Sequence, residues 1–445
     1  MSAQGRSQAR IDPPLGDGAK RQGGPHRAQG RSQARIGPTL GDGAKRQGGP
    51  LTGGAADRDV LIAGAGLPGL ATACALARLG LSVALADRVA VGLSVAPVKE
   101  DDWDVRVYAV SPGSAEFLRA LGAWQRLPLE RIAPIESMRI EGDAGAVLNF
   151  SAYELGERAL AWIVEERALR EVLIPFVHAA GVAIHAPAVF DALTFSRDAA
   201  LLRLASGASI AARLIVGADG LRSWVRDAAG LSAQTRPYGQ TAVVANFLCE
   251  RAHRGRAYQW FRADGGVLAW LPLPGRRVSI VWSAPEHLAQ ELLELAPEAL
   301  AARAAGEGAH ALGAFSPITR RAGFPLQSVK PSAVVAHRVA LIGDAAHGVH
   351  PLAGQGANLG FGDVEALCVV LKERGPLDDA GAPILLERYA RRRSEPVFAM
   401  HAVTDGLARL FGASAPWLRS ARNLGMAGLD RLQTAKRLLA QAALR

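Results

Sequence analysis

The sequence predicts an α/β fold in which a strand-and-helix domain of the dinucleotide type is interrupted by an inserted, sheet-based domain and then re-entered. Three stretches carry that prediction. Residues 60–80 read as buried strand, glycine turn and helix. Residues 339–371 repeat that order with an acidic residue at the strand's end, and residues 242–282 hold four short strands rich in aromatics. The first two place a glycine-lined loop between a strand's carboxyl end and a helix N-terminus, the edge at which open α/β sheets bind ligands.

Length and composition set the frame. At 445 residues, 49% hydrophobic and 21% charged, the chain has the composition of a soluble globular protein with two or three domains' worth of core. No apolar run is long enough to span a bilayer, and the N-terminus lacks the apolar core of a secretory signal. The three cysteines (Cys74, Cys249, Cys368) lie far apart in apolar settings, which argues against a disulfide framework and suits a reducing compartment. The formal charge of +10 sits at the ends: residues 1–50 carry +6, residues 405–445 carry +5, and the body is near −1.

The block GRSQARIDPPLGDGAKRQGGP at residues 5–25 returns almost unchanged at residues 30–50. It is rich in Gly, Arg and Gln with almost nothing apolar, so it can form no core. It has neither aromatics to stack on bases nor an amphipathic period, so a nucleic-acid arm and a transit peptide both fit poorly. Residues 1–56 are therefore expected to be a disordered, dispensable extension.

Residues 60–63 read as a strand, GAGLPG at 64–69 as a turn and 68–79 as a helix, with Pro68 suited to its first turn. A strand at 82–86 ends at Asp87, 23 residues after Gly64. This is the G-x-G-x-x-G fingerprint in its structural context. Gly64 makes the tight turn, Gly66 admits a pyrophosphate, Gly69 packs helix on strand, and Asp87 accepts from a ribose 2′-hydroxyl. A 2′-phosphate beside Asp87 would be repelled, which disfavours NADP there and leaves NAD and FAD open.

Arg106 then opens the segment RVYAVSP, with Ser111 as N-cap and Pro112 opening a short helix that ends near Gly122. Residues 158–164 read as a strand and 165–180 as a helix acidic at its start. Segments 182–184, 188–193 and 200–204 resemble a β-meander, and a strand at 213–216 ends at Asp219 before a helix carrying Arg226. The inserted domain holds strands at 242–247, 257–261, 267–273 and 278–282 and a helical stretch at about 286–305, before the chain returns at 324–326. In the last visit Gly343 and Asp344 end a strand at 339–342, and a loop with Pro351, Gly354 and Gly356 enters a helix through Val364 and Leu367. The start of that helix favours negative charge, and glycines let backbone approach a flat ring. His347 and His350 have H-x-x-H spacing, but on a Gly/Pro loop without a third ligand, so no metal is expected. A G-x-S-x-G elbow and a glycosidase-like carboxylate pair are absent. The tail interleaves Leu407, Leu410, Phe411 and Leu418 with Arg409, Arg419 and Arg422, a pattern that fits helix packing on the body or a helix on a membrane surface.

GAGLPG, ADGLRSWVR and GDAAHGVHPLAGQGANLG, in that order, resemble the single-component flavoprotein aromatic monooxygenases. Within that group the chain is similar to the ubiquinone-biosynthesis hydroxylases of the UbiH/UbiF/VisC type. Arg106 with AVSPGSAEFLRALGAW, YGQTAVVANF at 238–247, and QWF with LAWLPLP within 259–274 extend the likeness to about residues 57–440. The resemblance implies a discontinuous Rossmann-like FAD-binding domain with an inserted β-sheet substrate domain, as in p-hydroxybenzoate hydroxylase-like flavoproteins. On that reading residues 57–130, 158–235 and 325–404 bind FAD, 131–157 and 236–324 form the substrate domain, and 405–445 are basic C-terminal helices.

By the same resemblance FAD is held by Gly64, Gly66, Gly69 and Asp87 at its adenosine end, with Arg106 and Arg167 near the pyrophosphate or ribityl chain. Asp219 belongs to the shared dinucleotide motif, and Gly343 and Asp344 hold ribityl hydroxyls. Pro351, Gly354 and Gly356 run beside the isoalloxazine, and Asn358 completes the cofactor-binding set. One departure is Glu166, where the family often carries Asn.

The implied reaction hydroxylates the ring of a polyprenylated phenol in ubiquinone biosynthesis. NAD(P)H visits transiently as reductant, and O2 adds to the reduced flavin as a C4a-hydroperoxide whose distal oxygen attacks the ring. Such chemistry must be shielded from water, and Trp260, Phe261, Trp270, Leu271 and Leu273 are candidate apolar walls. Tyr238, Gln240, Tyr258 and His350 are candidate phenol partners, Pro351 completes the pocket set, and no side chain is required as a general base. An isoprenoid tail stays in lipid, so the enzyme is expected to be cytoplasmic and docked on the inner face of a bacterial membrane through its basic C-terminus. A ubiquinone-biosynthesis complex is a further expected partner; nucleic acid is not. The rivals are a flavin hydroxylase of a soluble aromatic compound and a non-catalytic scaffold that uses nucleotide only for stability. A chain beginning near Asp57 is expected to keep full phenol-dependent oxygen consumption; a large loss on that truncation would make the repeated segment functional.

Overall fold

The computed structural model describes residues 56–92, 102–350, 356–375, 379–413, 415–432, 434–437 and 440. The chain opens with β1 (Arg58–Ala63), α1 (Leu67–Arg78) and β2 (Val83–Ala86), then β3 (Val107–Val110) and α2 (Pro112–Ala120). Strands β4 (Ile132–Ile135), β5 (Ser137–Glu141) and β6 (Val147–Ser151) and the one-turn α3 (Ala152–Leu155) lead to β7 (Ala161–Glu165) and α4 (Glu166–Ala179). Next come β8 (Ala183–His185), β9 (Phe190–Phe195), β10 (Ala200–Leu204), β11 (Ser209–Gly217) and α5 (Trp224–Ala228). The long β12 (Ala233–Cys249) begins a run of β13 (Arg256–Phe261), β14 (Val267–Leu273), β15 (Arg277–Pro285), α6 (Glu286–Glu294) and α7 (Pro297–Glu307). The chain continues through β16 (Phe315–Pro317), β17 (Ala322–Pro331), β18 (Val335–Ala336), β19 (Val339–Leu341), α8 (Gly356–Lys372), α9 (Pro383–Gly412) and α10 (Pro416–Arg431).

The first sheet runs β18-β19-β11-β1-β2-β8, with β10 and β9 added beyond β11. Its centre is parallel: β1 pairs with β2 and β11, and β11 with β19. Val60, Leu61, Ile62 and Ala63 are fully buried, the unbroken apolar run that a strand covered on both faces requires. One face packs on α1, α4 and α8, and the other lies under β9, β10 and α5. The meander expected at 182–204 needs correction. β8 joins β2 in parallel at the sheet edge, and only β9 and β10 fold back on β11. A three-residue strand carries too little pattern to reveal its partner.

The second sheet runs β16-β12-β15-β14-β13-β5-β6, with β17 also on β12. Strand β5 enters from far upstream and lies parallel to β13. The chain stays in this sheet to Pro331, paired with Ala233, beyond the return point expected at 324–326. Its two faces alternate cleanly. Val243, Ala245, Phe247, Trp260, Leu268, Trp270, Ile280 and Trp282 lie under α6 and α7. The helical stretch expected at about 286–305 is two helices, the second opened by Pro297, whose ring cannot continue a helix but suits its first turn. The opposite face carries Ala242, Val244, Asn246, Gln259, Ala269, Leu271 and Val281, and turns toward the first sheet: the Asn246 amide donates to the Asp104 carbonyl at 2.8 Å.

Helix α9 spans both halves. Near its start Tyr389 donates to the Leu341 carbonyl at 2.7 Å, and near its end Phe411 stacks on Phe261 with ring centroids 3.7 Å apart. Helix α10 clasps the β5–β6 hairpin, where Asp143 accepts from Arg422 and from Asn423.

Candidate active site

The loop after β1 is shaped by two glycines that the protein itself requires and one that it does not. Gly64 has φ +113°, and a Cβ there would strike the Ala218 backbone; a Cβ on Gly69 would strike the Gly64 carbonyl. Gly66 differs. Among the described residues a Cβ there would meet only Pro68 Cδ, at 4.0 Å, so its surface is open. The Ala65 peptide between them is held from both sides: Asp87 Oδ2 accepts from its N–H at 2.5 Å, and Arg170 Nη1 donates to its carbonyl at 2.7 Å. Asp87 Oδ1 accepts from Val89 N–H at 2.7 Å. Arg170 is a site residue that sequence reasoning missed; it sits one helical turn beyond Glu166 on α4.

Arg170 also lines a cleft of about 460 Å³, together with Gly92, Glu171, Ile174, Asp104, Arg106, Glu166 and Arg167. Arg106 pairs with Glu166 at 2.8 Å, half-exposed, with its guanidinium 5.2 Å from the Phe324 ring centre. The departure at Glu166 thus has a local consequence: its carboxylate partly neutralises Arg106, where an amide would leave the charge intact. Arg167 Nη1 donates to Asp102 at 2.8 Å, and its backbone N–H to Asp104 at 3.1 Å.

The end of β19 meets the glycine loop. Gly343 takes φ +57°, and Pro68 of the first loop fits against both it and Gly360 of α8. The Asp344 side chain keeps an exposed edge although protein crowds it from most directions. That crowding pushes its carboxyl above the ordinary value, against the pull of His347 and Arg106. Beneath it Asp363, 1% exposed, accepts from Gly343 N–H at 2.8 Å, His347 Nε2 at 2.6 Å and Arg393 Nε at 2.6 Å. Burial alone would raise the Asp363 carboxyl, but His347 and Arg393 hold it below the usual range. Burial likewise opposes charge on His347, and Asp363 overrides it and raises the imidazole.

The second sheet supplies the third side. Ala269, Leu271 and Val281 lie mid-sheet, on strands paired along their length, yet remain partly exposed, so their face fronts open space. At one end of that face Gln240 Nε2 donates to the Gly265 carbonyl at 3.0 Å, and its Oε1 lies 2.9 Å from His350 Nε2. Tyr238 packs edge-on to His350 at 4.9 Å and donates to Asp405 at 2.6 Å; Lys330 meets the other Asp405 oxygen at 2.7 Å.

Some expected site residues stand elsewhere. Trp260 and Trp270 belong to the face under α6 and α7, as does Tyr258, which stacks on Trp260; none of the three walls the open face. Leu271 does face it, while Leu273 is buried against Trp103 and Phe261 against Phe411. Asp219 spends its carboxylate on the start of α5, accepting from Ser223 Oγ at 2.5 Å and Val225 N–H at 3.1 Å. Asn358 stitches α8 to the end of β3, accepting from Ser111 N–H at 2.9 Å and donating to the Ala109 carbonyl at 2.8 Å. Gly356 begins α8 with open space beside it, whereas Pro351 and Gly354 lie outside the described residues.

The family described as FAD binding domain matches residues 57–404. Ubiquinone hydroxylase UbiL of Rhodospirillum rubrum is 37% identical over 396 residues, covering 88% of this chain and 91% of that protein. The 3-demethoxyubiquinol 3-hydroxylase of Escherichia coli is 33% identical over 388 residues, covering 87% and 98%. Among solved structures, Pseudomonas aeruginosa PqsL in complex with 2-aminobenzoylacetate shares the fold, with a TM-score of 0.68 at 23% identity over 83% of this chain and 99% of that one.

Two expectations follow. Gly66→Ala should leave thermal stability unchanged while weakening FAD binding roughly tenfold or more, whereas Gly69→Ala should compromise folding itself; equal effects would contradict the geometry. Asp363→Asn removes a buried charge that Arg393 and His347 face, and should lower unfolding free energy by roughly 3 kcal/mol. Because the folded Asp363 value is depressed, its contribution is complete above about pH 4–5 and is lost as pH falls through the folded value. The variant should lack that acid-dependent loss in a denaturation series.

Proposed function

The chain belongs to the family of FAD-dependent ubiquinone hydroxylases, and on that premise we propose that it hydroxylates the aromatic ring of a polyprenylated phenol, using O2 and NAD(P)H. The observation that carries the reading is a chain of proximities. Pro68 of the glycine loop fits against Gly343 of the β19 turn. Arg106 of the cleft acts on Asp344 and lies 5.2 Å from the ring of Phe324, which pairs with Ala242 on the second sheet. The residues present fit FAD. Gly64, Gly66, Gly69 and Asp87 would hold the adenosine and pyrophosphate end, with Arg106, Arg167 and Arg170 along the cleft. Gly343 and Asp344 would take the ribityl hydroxyls, and the start of α8 at Gly356 would lie toward the ring. When bound, the flavin supplies hydride acceptance and oxygen activation, chemistry that no side chain here provides.

The chain's own contribution is to position and to keep water out. Ala269, Leu271 and Val281 offer an apolar floor for a ring, and the Phe261–Phe411 stack closes one flank. A polyprenyl tail needs an apolar route outward. No helix among the described residues is long and apolar enough to cross a membrane. Instead α9 and α10 expose Phe398 (75%), Trp417 (71%) and Leu424 (76%) beside the exposed Arg409, Arg419 and Arg431. Aromatics with basic neighbours suit the headgroup region of an anionic bilayer, so this surface would rest on the membrane's inner face.

Oxygen consumption by the FAD-loaded protein with NAD(P)H tests the reaction: a prenylated phenol should stimulate it and appear as hydroxylated product. Equal rates with the unprenylated phenol would favour a soluble aromatic substrate, and no stimulation would favour a scaffold. For docking, the double variant Trp417→Ser with Leu424→Ser should bind anionic vesicles at least roughly a hundredfold more weakly with its visible spectrum unchanged, since each side chain loses on the order of 1.5–3 kcal/mol of burial. Undiminished vesicle binding would remove this surface from the proposal.

A further inference from the structure

Resting on the phenol-hydroxylase reading above, we propose that His350 Nδ1 accepts the hydrogen bond of the substrate's ring hydroxyl and so fixes how the ring lies over the sheet.

The argument starts from Gln240. A backbone carbonyl can only accept, so the end of the Gln240 amide that meets the Gly265 carbonyl at 3.0 Å must be its NH2. The other end is then the oxygen, which also can only accept. His350 Nε2, 2.9 Å from it, must therefore carry the hydrogen. Burial pushes the His350 imidazole down to about 4, so the ring is neutral near pH 7. A neutral ring protonated at Nε2 leaves a lone pair at Nδ1.

That lone pair is buried and unanswered. His350 is 1% exposed, and Nδ1 has no hydrogen-bond partner among the described residues. A buried acceptor without a donor is costly, and such groups mark where a ligand or water belongs. Neighbouring side chains do not supply the donor. The Tyr238 hydroxyl gives its hydrogen to Asp405 at 2.6 Å, and Lys330 is paired with the same carboxylate at 2.7 Å. Gln240 has both amide ends engaged. It also shares the sheet face of Ala242, Val244 and Val281, which places His350 at one end of the open floor. Of the four candidate phenol partners, His350 alone combines this position with an idle acceptor; Tyr258 stands on the face under α6 and α7.

A phenolic O–H is a donor that matches this acceptor, and accepting from it raises electron density in the ring that is to be oxidised. His350 acts by hydrogen bonding and orientation, and the phenol's proton stays on its oxygen.

The test titrates FAD-loaded full-length protein with a prenylated phenol and with its methyl ether, following the flavin absorbance change. Wild type should prefer the phenol by roughly tenfold or more, as sites with a committed polar group do. His350→Gln keeps a donor toward Gln240 but removes the Nδ1 acceptor, and should lose the preference. Gln240→Leu, which frees the imidazole to take the other tautomer, should lose most of it, and this arm decides the matter if H350Q does not hold FAD. A preference unchanged in these variants overturns the assignment of His350 alone. Wild type that binds neither ligand overturns the phenol reading and the assignment with it.

Discussion

A carboxylate taken out of water must be answered by charge and hydrogen bonds, and Asp363 is where this fold meets that demand. One oxygen takes the Gly343 amide and His347, and the other takes Arg393. These partners come from the turn after β19, the loop beyond it and α9, while Asp363 itself stands on α8. Four segments are therefore fixed by one side chain, and the turn so fixed holds Asp344 within electrostatic reach of Arg106. Replacing the whole set by apolar residues could cost little in stability, because such ion pairs offset most of their own desolvation. What the network provides is a single arrangement of the Gly343–Asp344 turn, which an apolar contact would hold less specifically.

The second constraint is the two-residue period of the inserted sheet. Its strands alternate between a core under α6 and α7 and a face turned toward the dinucleotide half. Large aromatics fill the first face; small or polar residues such as Ala242, Asn246, Ala269 and Ser279 occupy the second. Filling the first face and thinning the second leaves room beside the cleft without weakening the sheet, because the strand ladders are the same on both.

This division explains what could be read from sequence. The glycine loop was legible because its chemistry is local: Gly64, Gly66, Gly69 and Asp87 sit at spacings that a strand, a turn and a helix dictate. Helices α1 and α2 are legible from Pro68 and from the Ser111 N-cap, and α8 from its apolar period. The aromatic walls were not, since alternation shows that Trp260 and Trp270 share a face but not which face meets the cofactor half. Arg170 and Arg393 were hidden for another reason. Their partners, the Ala65 carbonyl and Asp363, lie 105 and 30 residues away in the chain, and an arginine on a helix gives no sign of a distant acceptor. Asn358 and Asp219 stand out as polar residues in the right motifs, yet Asn358 is committed to backbone, and Asp219 to the Val225 N–H and the Ser223 hydroxyl.

Helix α9 joins these constraints. Its first turns are pinned by Tyr389 and Arg393 to the β19 turn and α8, and its later turns by Asp405 and Phe411 to the inserted sheet. A helix of 30 residues spans roughly 45 Å. Arg393, which answers Asp363, and Asp405, which anchors Tyr238, stand about 18 Å apart along it. One rigid element thus sets one domain's turn against the other's sheet. The same span gives a physical reason why the segments after it, where α10 grips the β5–β6 hairpin through Asp143, extend onto the substrate side and not back over the nucleotide loop.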